Sequence, residues 1–284
     1  MNSVLGQADV DLECIVVDDG SVDGTGEWLA SHSDPRVRVL HTGGGRGPAG
    51  ARNDGIRVAR GRYIAFQDSD DEWLPGKLAR QVAAFDRQPR PVLCFTGMVI
   101  DKAGARSDAV AAVDGSNAFD RLLAYAGPIT TPGLVIDRDL AGDELQFDEA
   151  MPAMEEHELL LRLSRDHPVA RVAEPLYVRY QHAGRRVTDP RREITGRKRI
   201  LERFASDLKI RPAVEAVHHW RLAAAHRRLD DLPAATAELR TAANLDRKGR
   251  YRLLAAASAN PALLRITWRG LDAIDTVRNQ FRNR

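Results

Sequence analysis

Cysteine is scarce. Cys14 and Cys94 are the only two, and each lies inside an apolar run, where a buried, reduced thiol is the expected state. A disulfide scaffold and a zinc site are thereby excluded. No apolar stretch approaches the ~20 residues that a membrane span needs. Met1 to Asp11 also lacks the basic and apolar blocks of a secretion signal, so a cytoplasmic location is expected. A dominant charge is missing too: the formal net charge is +2, which gives no case for nucleic acid as a partner. What remains is 284 residues, 43% hydrophobic and 29% charged, enough for a real core and best divided into one large domain and one small one. The charge is unevenly spread, because from Arg197 onward Lys and Arg outnumber Asp and Glu by about ten.

The first part of the chain alternates strand and helix signals. Leu12 to Val17 is a short β-branched run ended by Asp18-Asp19-Gly20-Ser21, and it predicts a buried parallel strand and a loop. A helix over Thr25 to Ser31, a strand over Val37 to Leu40, a Gly-rich loop from Gly43 to Gly50 and a helix over Ala51 to Ala59 follow. Tyr63 to Gln67 is a third strand, running into Asp68-Ser69-Asp70-Asp71. This order predicts βαβ units in an open, mostly parallel sheet flanked by helices, with ligands at the carboxyl ends of the strands. Both acidic clusters fall at such ends. Trp73, Leu74, Leu78, Val82 and Phe85 then recur at helical spacing until Pro89 to Pro91. A strand over Val92 to Ile100 turns at Lys102-Ala103-Gly104. Asp137 to Asp148 reads as polar and irregular, Met154 to Ser164 as helix, and Leu176 to Tyr180 as a last strand. From about Thr195 the pattern is helical and Ala-rich, with amphipathic helices at His218 to Leu229 and Leu232 to Leu245 that resemble one degenerate helical-repeat unit.

Several constellations could carry chemistry. Asp68 and Asp70, spaced i and i+2 after a buried strand, point the same way and could share a hard divalent cation with phosphate oxygens. The competing reading is an Asp-rich cap for a helix starting near Trp73. The Asp18-Asp19-Gly20-Ser21 loop could set a carboxylate against a base or ribose, or serve only as turn and cap. Gly45-Arg46-Gly47-Pro48-Ala49-Gly50 satisfies GxGxxG, with Asp68 about 20 residues on, as a nicotinamide-dependent oxidoreductase would have. The polar start Ala51-Arg52-Asn53-Asp54 instead suits a loop presenting Arg52 and Asn53 to a nucleotide diphosphate. Glu155-Glu156-His157-Glu158 opens the later helix without completing HExxH, because Leu161 stands at the second His position. It could aim a general base into a cleft, or simply favour the helix N-terminus electrostatically. His182, beyond the last strand, is a candidate third metal ligand against a purely structural histidine.

Taken in order, VVDDGSVDGT, the Gly-rich loop, GARNDGI and ARGRYIAFQDSDD between Ile15 and Asp71 resemble the family 2 glycosyltransferases, whose domain is the GT-A fold. Phe147-Asp148-Glu149, the helix Met154-Glu155-Glu156-His157-Glu158-Leu159 with Arg162, and Tyr177 to His182 extend the resemblance over roughly Ser3 to Thr188. The resemblance implies a nucleotide-sugar donor, usually a uridine diphosphate sugar, and an inverting transfer to a saccharide, lipid-linked or other hydroxyl acceptor. It implies that Asp18 or Asp19 contacts the nucleoside, and that Asp68 and Asp70 hold Mg²⁺ or Mn²⁺ on the diphosphate. Arg52 would lie near the donor, and Glu156 would take the acceptor proton. Two departures stand out. The pair Glu155-Glu156 replaces the family's usual Glu-Asp, so either glutamate can serve. The family's first strand and nucleoside loop have no counterpart before Ser3-Val4-Leu5-Gly6-Gln7, which reads as the end of a helix. A remnant that binds a nucleotide or a partner without catalysis is the alternative. The expected domains are 1–194, catalytic, and 195–284, a basic helical extension. That extension, with Trp220, Trp268 and Leu271, is either a helical cap or a peripheral contact with anionic lipid.

Overall fold

The computed structural model describes residues 1–110, 113, 115, 117–124, 129–181, 189–246 and 251. It divides into two compact units, Met1–Ala150 with Glu155–Arg185, and Met151–Met154 with Arg186–Arg284.

The first unit opens with a one-turn helix α1 (Asn2–Leu5), strand β1 (Cys14–Asp18), helix α2 (Thr25–Ala30) and strand β2 (Val37–His41). β1 and β2 pair in parallel as a two-stranded sheet, with Asp18 opposite His41. Helix α3 (Gly47–Val58) starts four residues before the expected Ala51, inside the Gly-rich loop. Pro48 sits in its first turn, where a missing N–H costs nothing, so the loop glycines lead directly into helix. The β1–α2 and β2–α3 loops cross at Gly20 and Gly44, where a Cβ on Gly20 would stand 2.9 Å from the Gly44 Cα. No side chain larger than hydrogen fits that crossing.

Strand β3 (Tyr63–Ala65) is followed by β4 (Asp71–Trp73), helix α4 (Lys77–Ala83), β5 (Leu93–Lys102) and β6 (Ala105–Ala109). After α5 (Ala118–Leu123) come β7 (Leu134–Asp137), α6 (Arg138–Ala141), α7 (Glu155–Ser164) and β8 (Val169–Tyr180). The larger sheet runs β3-β7-β5-β8-β4, with β6 paired to β5. Only β5 with β8 is parallel in it; the other pairs are antiparallel. The expectation of a mostly parallel sheet is therefore corrected to a mixed one. A hairpin turn at Ala103 and Gly104, both at positive φ, reverses β5 into β6, and β7 enters just before the stretch read as irregular, where no element was expected. Short apolar runs reveal burial but not the direction of pairing. The helix expected from Trp73 is likewise corrected: Asp71–Trp73 is a strand against β8, and α4 begins only at Lys77 behind Gly76. Both have Trp73 buried, so the apolar spacing alone could not choose between them.

The core of this unit joins Trp73, Phe85, Cys94, Met98, Val135, Ala170, Leu176 and Tyr177. Each large side chain buried there contributes about 1.5–3 kcal/mol. One charged group shares it. Lys77 is fully buried, its Nζ lies 4.1 Å from the Trp73 ring centroid, and it has no hydrogen-bond partner among the described residues.

In the second unit, α8 (Pro190–Arg203) is capped by Asp189, whose side chain accepts from the Arg191 N–H. α9 (Ala205–Lys209), α10 (Pro212–Arg228) and α11 (Leu232–Leu245) follow. The first of the two expected amphipathic helices thus begins six residues earlier, at Pro212. Small residues let α10 and α11 pack closely: Ala223 and Leu239 meet at the centre, with Trp220 and Leu232 around them. Trp268 and Leu271 lie outside the described residues.

Burial lowers the Lys77 pKa to about 7. Between pH 7 and about 10.4 the unfolded chain binds a proton that the folded lysine does not, so stability must rise with pH across that window. Lys77→Met is expected to stabilise at pH 7 by about 1–4 kcal/mol, with the gain shrinking towards pH 10. Urea denaturation at several pH values measures this, and a gain that stays constant with pH contradicts it.

Candidate active site

The acidic cluster lies at the carboxyl end of β3. The Asp71 N–H donates to the Asp68 carbonyl at 3.2 Å, closing a β-turn, and β4 then starts at Asp71. The turn folds three carboxylates towards one another: one oxygen each from Asp68, Asp70 and Asp71 lies within 4.8 Å of the others. Asp71 is thus a third candidate ligand that i, i+2 spacing had passed over; the turn, not strand alternation, sets the geometry. The cap reading is removed, since α4 has Gly76 at its N-cap and begins six residues after Asp71. Three hard oxygen donors suit Mg²⁺ or Mn²⁺. His182 lies outside the described residues.

Arg52 projects from α3 into this cluster. Its Nη2 donates to Asp68 Oδ1 at 3.0 Å and to Thr131 Oγ1 at 3.2 Å, while Nη1 donates to Glu155 Oε1 at 3.1 Å. The guanidinium carbon also stands 5.5 Å from the Phe147 ring centroid. One side chain thereby ties the acidic cluster to the acidic helix α7. At an effective dielectric of ~20, each such contact is about 4 kcal/mol of gross attraction. Thr131 is held in register from the core: Trp73 Nε1 donates to the Pro132 carbonyl at 3.1 Å, and Gln81 Nε2 to the Gly133 carbonyl at 2.9 Å. Thr131 went unseen in the sequence, where Thr130-Thr131-Pro132-Gly133 before an apolar run was the only cue, and Phe147 entered only through the resemblance, without a role of its own.

Asn53 does not join Arg52. It follows Arg52 by one residue, hence about 100° round the helix. It is buried, donates to the Phe147 carbonyl at 2.9 Å and Glu149 Oε1 at 3.0 Å, and accepts from the Phe147 N–H at 2.8 Å. The expectation that it meets a diphosphate is corrected: its amide anchors Phe147-Asp148-Glu149 to α3.

Asp18 and Asp19 also part ways. Asp18 is buried, accepts from the Ser21 N–H at 3.0 Å and pairs with His41 Nδ1 at 3.2 Å. Those hydrogen bonds from Ser21, with His41, hold its pKa below the usual carboxylate value. Asp19 accepts from the Thr42 hydroxyl at 2.6 Å and from the N–H groups of Arg46 and Gly47 at 3.2 and 2.8 Å. It therefore fills the start of α3 with its own anion. A pyrophosphate on GxGxxG would need those same N–H groups, which argues against the nicotinamide reading.

On α7, the two glutamates differ in environment. Glu155 is paired with Arg52. Glu156 is half-buried, and desolvation, then the neighbouring Glu155 carboxylate, push its pKa up to about 7. Glu158 and Arg162 form a bidentate pair at 3.0 and 3.1 Å, and Arg162 also donates to the Gln146 carbonyl at 2.7 Å, so these two fasten α7 to the preceding loop.

Residues 1–124 match the family model described as glycosyl transferase family 2. Among curated proteins, the succinoglycan biosynthesis protein ExoO of Rhizobium meliloti is 48% identical over 30% of this chain and 25% of its own length. The UDP-Glc:alpha-D-GlcNAc-diphosphoundecaprenol beta-1,3-glucosyltransferase WfgD of Escherichia coli is 42% identical over 29% of this chain and 33% of its own. The chain thus matches only about a quarter to a third of the length of these relatives. Among solved structures, Staphylococcus aureus TarS 1-349 in complex with UDP-GlcNAc aligns over 99% of this chain and 86% of that one, with a TM-score of 0.62 at 17% identity. The mannosyltransferase PcManGT of Pyrobaculum calidifontis, in complex with GDP-Man and Mn²⁺, aligns over 100% and 82%, with a TM-score of 0.52 at 20% identity. At these identities the likeness is one of fold.

Removing the Asn53 side chain would leave the Phe147 N–H and carbonyl unpaired in a buried place. Asn53→Ala is expected to cost about 2–4 kcal/mol in a denaturant titration, more than an ordinary surface substitution. A loss below 0.5 kcal/mol, the order of such surface changes, would show that the anchor is unimportant.

Proposed function

We propose that the first unit is an inverting glycosyltransferase that moves a sugar from a nucleotide-diphosphate donor, of the UDP-sugar class, to an acceptor hydroxyl. One observation carries the reading: Arg52 bridges Asp68 and Glu155, which brings the acidic cluster and the carboxylates of α7 together. In-line displacement at an anomeric carbon needs stabilised charge on the departing diphosphate and a base opposite it. Asp68, Asp70 and Asp71 would hold Mg²⁺ or Mn²⁺, which when bound supplies Lewis-acid stabilisation of the diphosphate charge. Arg52 offers its planar fork to phosphate oxygens, and Asp18 with its loop, at the carboxyl end of β1, would meet the nucleoside.

Glu156 is the base in this proposal and Glu155 its positioning neighbour. Glu155 is held by a guanidinium, whereas Glu156 has a pKa of about 7, near working pH and suited to accepting a proton. The extra methylene relative to aspartate lets it reach further from the helix. The acceptor is read as a saccharide hydroxyl, lipid-linked as WfgD's name describes for that enzyme. Catalysis is assigned to the first unit and not to the helices beyond residue 186. No described helix is long and apolar enough to cross a membrane, and a cytoplasmic, peripheral location is the proposed setting for a lipid-linked acceptor.

Glu156→Gln is expected to lower kcat by about 10²–10⁴-fold with donor affinity little changed. Because the base must be deprotonated, wild-type kcat should rise with pH through about 7 and level off above it. A kcat that is flat from pH 5.5 to 8.5, or a fully active Glu156→Gln, would overturn this role. Transfer or donor hydrolysis should require Mn²⁺ or Mg²⁺ and vanish in Asp70→Ala, and UDP rather than NAD should bind. Metal-dependent activity that survives Asp70→Ala would overturn the cation assignment.

A further inference from the structure

Resting on the cation site proposed above, we infer that Arg52 is also a built-in counter-cation. It occupies Asp68 until a diphosphate draws it away, so that metal binds tightly only together with the nucleotide.

Arg52 Nη2 lies 3.0 Å from Asp68 Oδ1, on one of the three carboxylates that would hold the metal. Thr131 Oγ1 donates to the same oxygen at 3.4 Å while accepting from Arg52. A divalent ion on Asp68 and a guanidinium on that same carboxylate repel each other and compete for its lone pairs. The arginine is only 19% exposed, so water screens the competition weakly. The cluster is therefore neutralised in part before any metal arrives.

The other half of the guanidinium is anchored. Nη1 stays on Glu155, and the ring face of Phe147 supports the fork from the side. A rotation about the outer side-chain bonds would move Nη2 from Asp68 to an adjacent phosphate oxygen without breaking the Glu155 contact. A diphosphate, carrying more negative charge than one carboxylate, offers Nη2 a stronger charge-assisted partner than the Asp68 oxygen does. Once Nη2 turns to phosphate, Asp68 has its oxygen free for the metal that the same diphosphate also needs. The exchange requires no backbone movement, and it makes metal and donor mutually dependent in binding.

Mn²⁺ binding, followed by electron paramagnetic resonance of the free ion, tests this without turnover. Wild-type protein is expected to bind Mn²⁺ weakly alone and at least about tenfold more tightly with saturating UDP. Arg52→Met should bind Mn²⁺ alone about tenfold more tightly than wild type and lose most of the UDP enhancement. Arg52→Lys, which keeps the charge but not the fork, should stay weak for Mn²⁺ alone. Arg52→Gln, which keeps a hydrogen-bond donor for Asp68 without the charge, is expected to repeat the Arg52→Met result and takes its place if Arg52→Met folds poorly by circular dichroism. If Arg52→Met and Arg52→Gln bind Mn²⁺ no more tightly than wild type and keep its UDP enhancement, the counter-cation role is wrong while the metal site stands. If wild type binds no Mn²⁺ even with UDP, the metal site itself is wrong, and the inference fails with it.

Discussion

The candidate site depends on one ion-pair network, Asp68–Arg52–Glu155. Two carboxylate clusters facing one cleft would repel each other, and a single guanidinium between them makes their approach favourable. Its planar fork is what permits this, because two nitrogens can serve two carboxylates at once, whereas an ammonium would act as a point charge. The cost of immobilising a long side chain is offset by packing, with Phe147 beneath the guanidinium and Phe66 against Phe147 at 5.4 Å, edge to face.

Around this network the fold acts as a set of supports rather than as a container. Asp19 seals the start of α3, Asn53 binds the Phe147 segment to the side of α3, and Trp73 and Gln81 hold the turn that carries Thr131. Asn53, Trp73 and Gln81 are buried and Asp19 is half-buried, and the loss of any of them would leave a backbone partner unpaired, so each has a structural reason to be there. Arg52 differs from them in that its hydrogen bonds run to the side chains of Asp68, Thr131 and Glu155 and not to backbone. The side chains that look catalytic in sequence thus sort into anchors and reagents by whether their hydrogen bonds are already satisfied internally.

Much of the site was legible beforehand because its residues follow short apolar strands. Asp18 and Asp68 could be placed at strand ends from burial patterns alone, and Glu155 and Glu156 at a helix start. Asn53 could not be sorted from Arg52, since adjacent helical residues differ in facing only once the axis is docked. Asp71 was missed because a β-turn overrides the alternation of an extended chain, and β7 because three apolar residues after a proline and glycine fit too many structures. Trp73 read as helical since its apolar neighbours recur at a spacing that a short strand followed by a helix also produces.

The sequence by itself determined the class of element at most positions, the location of the acidic clusters after strands and the family resemblance between Ile15 and Asp71. These are local properties, set by side-chain periodicity and by the turn chemistry of Gly, Pro and Asp. Only the tertiary structure decided the direction of strand pairing and the partnership of Arg52 with Glu155 across 103 residues. Those depend on distances between segments far apart in the chain, which are set when the core closes and not by any spacing written along it.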